Sequence, residues 1–175
     1  LTYDFDHTPF PTIEGMKERT IYMNGFSKAY AMTGFRVGYV CGPEKIVSAM
    51  TKIHQYTMLC ASITGQIAAI EALKHSYNSV LSMKKEYNRR RKYIVEALNN
   101  IGLPCHMPQG AFYVFPSIKN TGESAMDFAK NLLIEKKVAL VPGGAFGKGC
   151  EGYVRISYAS SYENLNEAVK RIKEY

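Results

Sequence analysis

Apolar positions along the chain follow a helical period in some stretches and form short β-type runs in others, and this alternation predicts the elements. Residues 1–19 hold no sustained period and carry His7-Thr8-Pro9-Phe10-Pro11, so they read as loop with a short strand at 1–3. Residues 20–24 (TIYMN) and 35–41 (FRVGYVC) read as strands, ended by Gly25 and by Gly42-Pro43, with a polar loop over 27–34 between them. Pro43 opens a helix running to about residue 58, in which Ile46, Met50 and Ile53 recur at helical spacing. Ser62 caps another, which carries Ile67, Ile70 and Leu73 to about residue 73. A long helix over about 79–100 puts Val80, Tyr87, Ile94, Leu98 and Ile101 on one stripe and Lys85, Arg89, Lys92 and Glu96 largely on the other. Gly102 is its natural stop.

Past that point the elements shorten. The pattern gives a strand at 111–115, a helix over about 124–136, a strand at 138–141, a glycine-rich loop, a strand at 152–158 and a final helix. Ser160-x-x-Glu163 reads as a capping box for that helix, and Leu165, Ala168, Val169 and Ile172 make its apolar stripe. Residues 100–175 therefore read as a small α+β unit.

Composition narrows the class without naming a function. The 175 residues are 46% apolar, 21% charged and 12% aromatic, which excludes disordered, collagenous and low-complexity chains. Twenty-two Lys and Arg against 15 Asp and Glu give a net charge of +7, which favours anionic ligands. No apolar run approaches the roughly 20 residues that span a bilayer. Asp4, Asp6, His7, Pro9 and Pro11 interrupt what would be the core of a signal peptide, so the expectation is a soluble, cytoplasmic protein without a membrane partner. The chain starts at Leu1 rather than Met, in strand or loop, and reads as a portion of a longer polypeptide. Cys41, Cys60, Cys105 and Cys150 form no CxxC pair and read as reduced, mostly packing thiols. His7, His54, His75 and His106 form no HxxxH arrangement, so no metal site is expected.

Chemistry concentrates in residues 27–39 (SKAYAMTGFRVGY), where Lys28 lies on a loop after one strand and Arg36 heads the next. A loop lysine is ordinarily a solvated charge. It becomes a nucleophile toward a carbonyl when a neighbouring cation lowers its pKa, and an arginine can supply that cation while gripping a phosphate through its planar fork. Arg155 lies in a strand whose alternation puts Tyr153, Arg155 and Ser157 on one face and Val154, Ile156 and Tyr158 on the other. It can thus point into a cleft while its neighbours pack, although an exposed strand arginine is the commoner case. The stretch 142–149 (PGGAFGKG) lacks the G-x-x-x-x-G-K-[ST] phosphate loop and reads as a turn. Lys84-Lys85 and Arg89-Arg90-Arg91-Lys92 make a basic run whose rival reading is nucleic-acid binding. With only Tyr87 and Tyr93 interleaved, it reads as a solvated helix face.

The string Ser27-Lys28-x-x-x-x-x-Gly34-x-Arg36-x-Gly38 resembles the pyridoxal-phosphate lysine motif of class I/II aminotransferases. Residues 24–39 (NGFSKAYAMTGFRVGY) look like the bacterial and archaeal aspartate/aromatic branch. The resemblance extends through Cys41-Gly42-Pro43-Glu44, Pro108-x-Gly110-Ala111-Phe112-Tyr113, Val141-Pro142-Gly143-x-x-Phe146-Gly147 and Val154-Arg155-Ile156-Ser157-Tyr158-Ala159. It implies an α/β fold of the fold-type-I pyridoxal-phosphate-dependent transferases. Residues 1–78 would close a partial large cofactor-binding α/β domain, 79–100 would be a long connecting helix, and 101–175 a small α+β C-terminal domain.

The resemblance also implies roles. Lys28 would form the Schiff base with pyridoxal 5′-phosphate, Arg36 would bind its phosphate, and Arg155 would bind the substrate α-carboxylate; Ser27, adjacent to Lys28, is a further candidate for contact with the cofactor, with backbone N–H groups or residues outside the chain as the alternatives. Many relatives place a phosphate-contacting serine three residues before the lysine, where this chain has Gly25. The implied activity is transfer of an amino group from an α-amino acid, aspartate or aromatic, to a 2-oxo acid, in a homodimeric enzyme of amino-acid metabolism. Residues 56–62 would line the dimer interface or simply pack at a helix junction. The residues that hold the pyridine ring precede the lysine in relatives and would stand upstream of Leu1, so the 175 residues alone are expected to be inactive. A pyridoxal-phosphate-dependent carbon–sulfur lyase and a non-catalytic basic interaction domain are the alternatives.

Overall fold

The computed structural model describes residues 1–175 and divides into two compact units, one of residues 6–83 and one of residues 1–5 with 84–175. The first carries a hairpin of β1 (Tyr22–Gly25) and β2 (Gly38–Cys41), then α1 (Glu44–Thr57) and α2 (Ile63–His75). The strands pair antiparallel with Tyr22 opposite Cys41 and Gly25 opposite Gly38. Both are shorter than the sequence pattern predicts. Thr20 is used by the preceding 3-10 turn, its N–H bonding the Lys17 carbonyl and its hydroxyl the Met16 carbonyl. Phe35 belongs to the turn Thr33–Phe35, and Arg36 takes a left-handed φ of +53°, which ends β2 before it can include them.

A small core of Phe26, Met32, Val37, Ala69 and Ala72 joins the hairpin loop to α2. Gly65 makes this packing possible, since a Cβ there would lie 2.4 Å from Val37 Cγ2. The predicted stripe of α1 is not buried: Ile46 and Ile53 are exposed, and the helix contributes no residue to the core. Ile63, Ile67, Ile70 and Leu73 of α2 are exposed as well. Cys41 and Cys60 are exposed rather than packed, in contrast to buried Cys105.

The helix α3 (Tyr77–Asn100) crosses the division between the units, and Gly102 after it adopts a φ of +86° as a C-terminal stop requires. In the larger unit Ile94, Val95 and Leu98 of α3 pack with Phe128 and Leu132 of α4 (Ala125–Lys136) and with Leu165, Val169 and Ile172 of α5 (Tyr162–Lys173). These helices share a core with a three-stranded antiparallel sheet in the order β3 (Tyr113–Val114), β5 (Val154–Ser157), β4 (Val141–Pro142). The strand expected at 138–141 shrinks to its last residue plus Pro142. The N–H groups of Lys137 and Val138 are spent on the Leu133 and Leu132 carbonyls that close α4. The cap of α5 is Ser161, whose hydroxyl accepts from the Asn164 N–H at 3.2 Å, so the capping frame lies one residue beyond the Ser160–Glu163 box.

The basic run of α3 is not a uniformly solvated face. Arg89 and Arg90 both bind Glu86 and hold its carboxyl down to about 2, while Arg91 is only 1% exposed. Arg91 Nη1 and Nη2 donate to the two Asp4 carboxylate oxygens at 2.7 and 2.9 Å, Nη1 also to the Pro108 carbonyl at 2.7 Å. A guanidinium with this many partners can be buried; an isolated one cannot. No helix of the chain is long and apolar enough to cross a membrane.

Candidate active site

Lys28 stands in the turn that follows β1, exposed, with its backbone set by a short chain of hydrogen bonds. The Phe26 N–H bonds the Val37 carbonyl at 3.2 Å, tying the two ends of the hairpin loop. The Tyr30 and Met32 N–H groups both return to the Phe26 carbonyl, and the Ala31 N–H reaches the Lys28 carbonyl. Ala31 has a φ of +54°, so Ala31 and Arg36, two non-glycine residues of one loop, hold left-handed backbone that costs energy unless the surroundings enforce it. The buried side chains of Phe26, Met32 and Val37 do so.

This geometry brings two of the predicted residues, Ser27 and Arg36, together beside Lys28 in sequence. Arg36 Nη1 donates to the Thr33 carbonyl at 2.9 Å and lies 3.5 Å from the Ser27 hydroxyl, while the Thr33 hydroxyl donates to the Ser27 carbonyl at 2.9 Å. A guanidinium and a hydroxyl thus meet on the same exposed loop that carries the Lys28 amine. Thr33, absent from the sequence reading, fixes the pair by accepting from one partner and donating to the other.

Arg155 belongs to the larger unit. It is half-buried on the central strand β5, with Val154 buried on the opposite face as the alternation requires. Its guanidinium carbon lies 4.5 Å from the Tyr113 ring centre and 4.7 Å from that of Phe146. None of the chain's ion pairs involves it. Phe146 comes from the turn Gly143–Phe146, in the stretch that the resemblance implies as a turn beside the substrate cleft. Gly143 is required there, because a Cβ would meet the Cys150 carbonyl at 2.0 Å and that of Tyr153 at 2.5 Å. Neither Tyr113 nor Phe146 carried a role in the sequence, although both lie in motif strings quoted above.

The segment before β3 is held from below. Ala111 has a φ of +61°; its N–H bonds the Leu1 carbonyl at 2.9 Å, and its own carbonyl accepts from the Tyr3 hydroxyl. The Tyr158 hydroxyl sits 3.1 Å from the same carbonyl and 3.3 Å from the Tyr3 hydroxyl. Burial, with the neighbouring Tyr3 phenol, pushes the Tyr158 phenol strongly up, so it stays a neutral hydrogen-bond donor.

The profile of the family described as Aminotransferase class I and II matches residues 3–172. The chain belongs to this family. It is 49% identical to an aspartate aminotransferase of Pyrococcus abyssi over 173 residues, 98% of this chain and 44% of that protein. It is 48% identical to aromatic-amino-acid aminotransferase 2 of Thermococcus litoralis over 165 residues, 93% of this chain and 42% of the relative. The crystal structure of an aromatic aminotransferase from Pyrococcus horikoshii superposes with a TM-score of 0.94 at 48% identity, covering 99% of this chain and 47% of that one. The fold is therefore the α/β fold of the fold-type-I aminotransferases, of which this chain spans less than half the length of the relatives it matches. Its donor set fits the family's cofactor: an amine for an aldehyde, and a guanidinium beside a hydroxyl for a phosphate dianion.

Proposed function

We propose that the chain supplies the lysine-bearing part of a pyridoxal-phosphate-dependent aminotransferase, which moves the amino group of an α-amino acid to a 2-oxo acid. Aspartate or an aromatic amino acid is the favoured donor, in keeping with the relatives' names. The observation that carries the reading is the meeting of Arg36 and the Ser27 hydroxyl on the braced loop that also bears Lys28.

Pyridoxal phosphate, when bound, supplies an aldehyde for amine exchange and an electron sink for a carbanion. Arg36 and the Ser27 hydroxyl hold the phosphate, the guanidinium by charge and fork geometry and the hydroxyl by one hydrogen bond. Lys28 Nζ would be the amine that holds the aldehyde end of the cofactor and, once free of it, the base that takes the proton from the substrate α-carbon and keeps it for return to the substrate–cofactor skeleton. Arg155 binds the α-carboxylate and so fixes which α bond is broken, an orientation effect.

The 175 residues alone are inactive in this account, because no residue assigned here holds the pyridine nitrogen. The cytoplasm is the expected compartment. The active form is a homodimer in this account, and residues 56–62, where Tyr56 is 93% and Leu59 81% exposed, are left uncovered to line its interface.

The test is turnover of the intact protein with aspartate or tyrosine and a 2-oxo acid. A new amino acid forming in step with the loss of the donor is the expected result. Pyruvate and ammonia released from a sulfur-bearing amino acid without an acceptor would instead mark a carbon–sulfur lyase.

A further inference from the structure

Arg155 projects from the middle strand of the sheet, and its neighbours on either side each contribute a ring. β3 lies on one side of β5 and β4 on the other. Tyr113 pairs with Ser157, two residues from Arg155, so it lies on the same face of the sheet as Arg155. Val141 pairs with Arg155 itself, and the chain leaving β4 turns directly to Phe146. The guanidinium is thus flanked by ring centres 4.5 and 4.7 Å from its carbon. Two aromatic rings thus lie against it. Its N–H groups, by contrast, are spent on no carboxylate of the chain, although the side chain is half-buried.

Both rings are braced. Phe146 abuts Phe115 edge-on at 5.9 Å, and Phe115 stacks on Tyr153 at 5.4 Å with planes 7° apart. Tyr113 lies two residues after Ala111, whose carbonyl is gripped by the Tyr3 and Tyr158 hydroxyls. A guanidinium set against two rings keeps less rotational freedom, and a ligand meets it along the N–H perimeter that the rings leave open. That perimeter matches the two coplanar oxygens of a carboxylate and fits the tetrahedral oxygens of a phosphonate less well.

We infer that Tyr113 and Phe146 are positioning residues that make Arg155 an edge-on reader, selecting planar carboxylates over tetrahedral anions. The inference rests on the proposed role of Arg155 as the carboxylate site, yet binding alone tests it. The probes are propionate and its phosphonate counterpart, ethylphosphonate, titrated into the intact protein by ligand-observed NMR. Wild-type protein should prefer propionate, and Phe146→Ala should reduce that preference by about tenfold, while Phe146→Tyr, which keeps the ring, restores it. Where turnover is measured, Phe146→Ala should raise KM for amino acid and oxo acid alike by about tenfold with kcat changed less than about threefold. Tyr113→Leu gives a second break in the clamp and should act in the same direction.

An unchanged anion preference in both Phe146→Ala and Tyr113→Leu, with both variants folded by circular dichroism, overturns the clamp. Wild-type protein that prefers propionate but transfers no amino group overturns the aminotransferase reading and leaves the clamp standing. Binding of both probes that survives Arg155→Met removes Arg155 as the site, and the clamp with it.

Discussion

Arg91 and Asp4 form the strongest polar anchor in the larger unit, and its energetics follow from an asymmetry. The arginine side chain is 2% exposed and the aspartate 56%, so the cation has left water while the anion has not. Arg91 donates to Asp4, to the Pro108 carbonyl and to the Asn88 side chain, and its guanidinium carbon lies 4.5 Å from the Tyr3 ring centre. The hydrogen bonds from Arg91 hold the Asp4 carboxyl below its ordinary value of 3.8. A carboxylate whose pKa is depressed on folding adds stability above its unfolded pKa, and that stability is lost as the pH falls through the lower folded pKa. Urea unfolding of wild type and Asp4→Asn should therefore differ most near neutral pH and converge as the pH drops below 3.8. A gap between the two midpoints that persists unchanged into strong acid would show that the ion pair is not its source. The sequence pointed the other way at this residue, because a run of four basic residues gives no sign that one of them faces inward. The carboxylate that lets this guanidinium be buried lies 87 residues away along the chain, and local pattern carries no such information.

At the scale of elements, the sequence pattern located all five α-helices to within about two residues, with Ser62 and Ser124 at the caps of α2 and α4, and missed the cap of α5 by one. The α5 stripe of Leu165, Val169 and Ile172 is buried as the spacing predicts. Its start is displaced by one residue because two adjacent serines offer the same hydroxyl and only the backbone decides which sits at the cap. Ser161→Ala should cost about 1 kcal/mol in thermal or urea unfolding, and Ser160→Ala distinctly less. The reverse order would restore the Ser160 frame. Strand ends were misread for a related reason: Thr20 and Val138 carry strand-like side chains, yet their backbone groups serve the preceding 3-10 turn and helix cap. The candidate site was legible where chemistry is written in residue type, as for Lys28, Arg36 and Arg155. It was not legible where the role is geometric. Thr33, Tyr113 and Phe146 look like ordinary loop and strand residues until the fold places them against an arginine.

Across the whole molecule, the two units differ in how much they bury. Residues 84–175 enclose a continuous core with helices and sheet, whereas the smaller unit relies on five buried side chains and leaves much of α1 and α2 uncovered. Amphipathic stripes predicted those faces correctly as apolar but could not say what covers them, since the chain spans less than half of its relatives' length. Ser27, Lys28 and Arg36 are proposed to form a preorganised cofactor loop. Its most direct test is to add pyridoxal phosphate, reduce with borohydride, and map the labelled lysine by peptide mass spectrometry. The account predicts label on Lys28 well above every other lysine, reduced by Arg36→Met and absent in Lys28→Ala. Label spread evenly over the surface lysines of the intact protein, with Lys28 no more reactive than the rest, would contradict it.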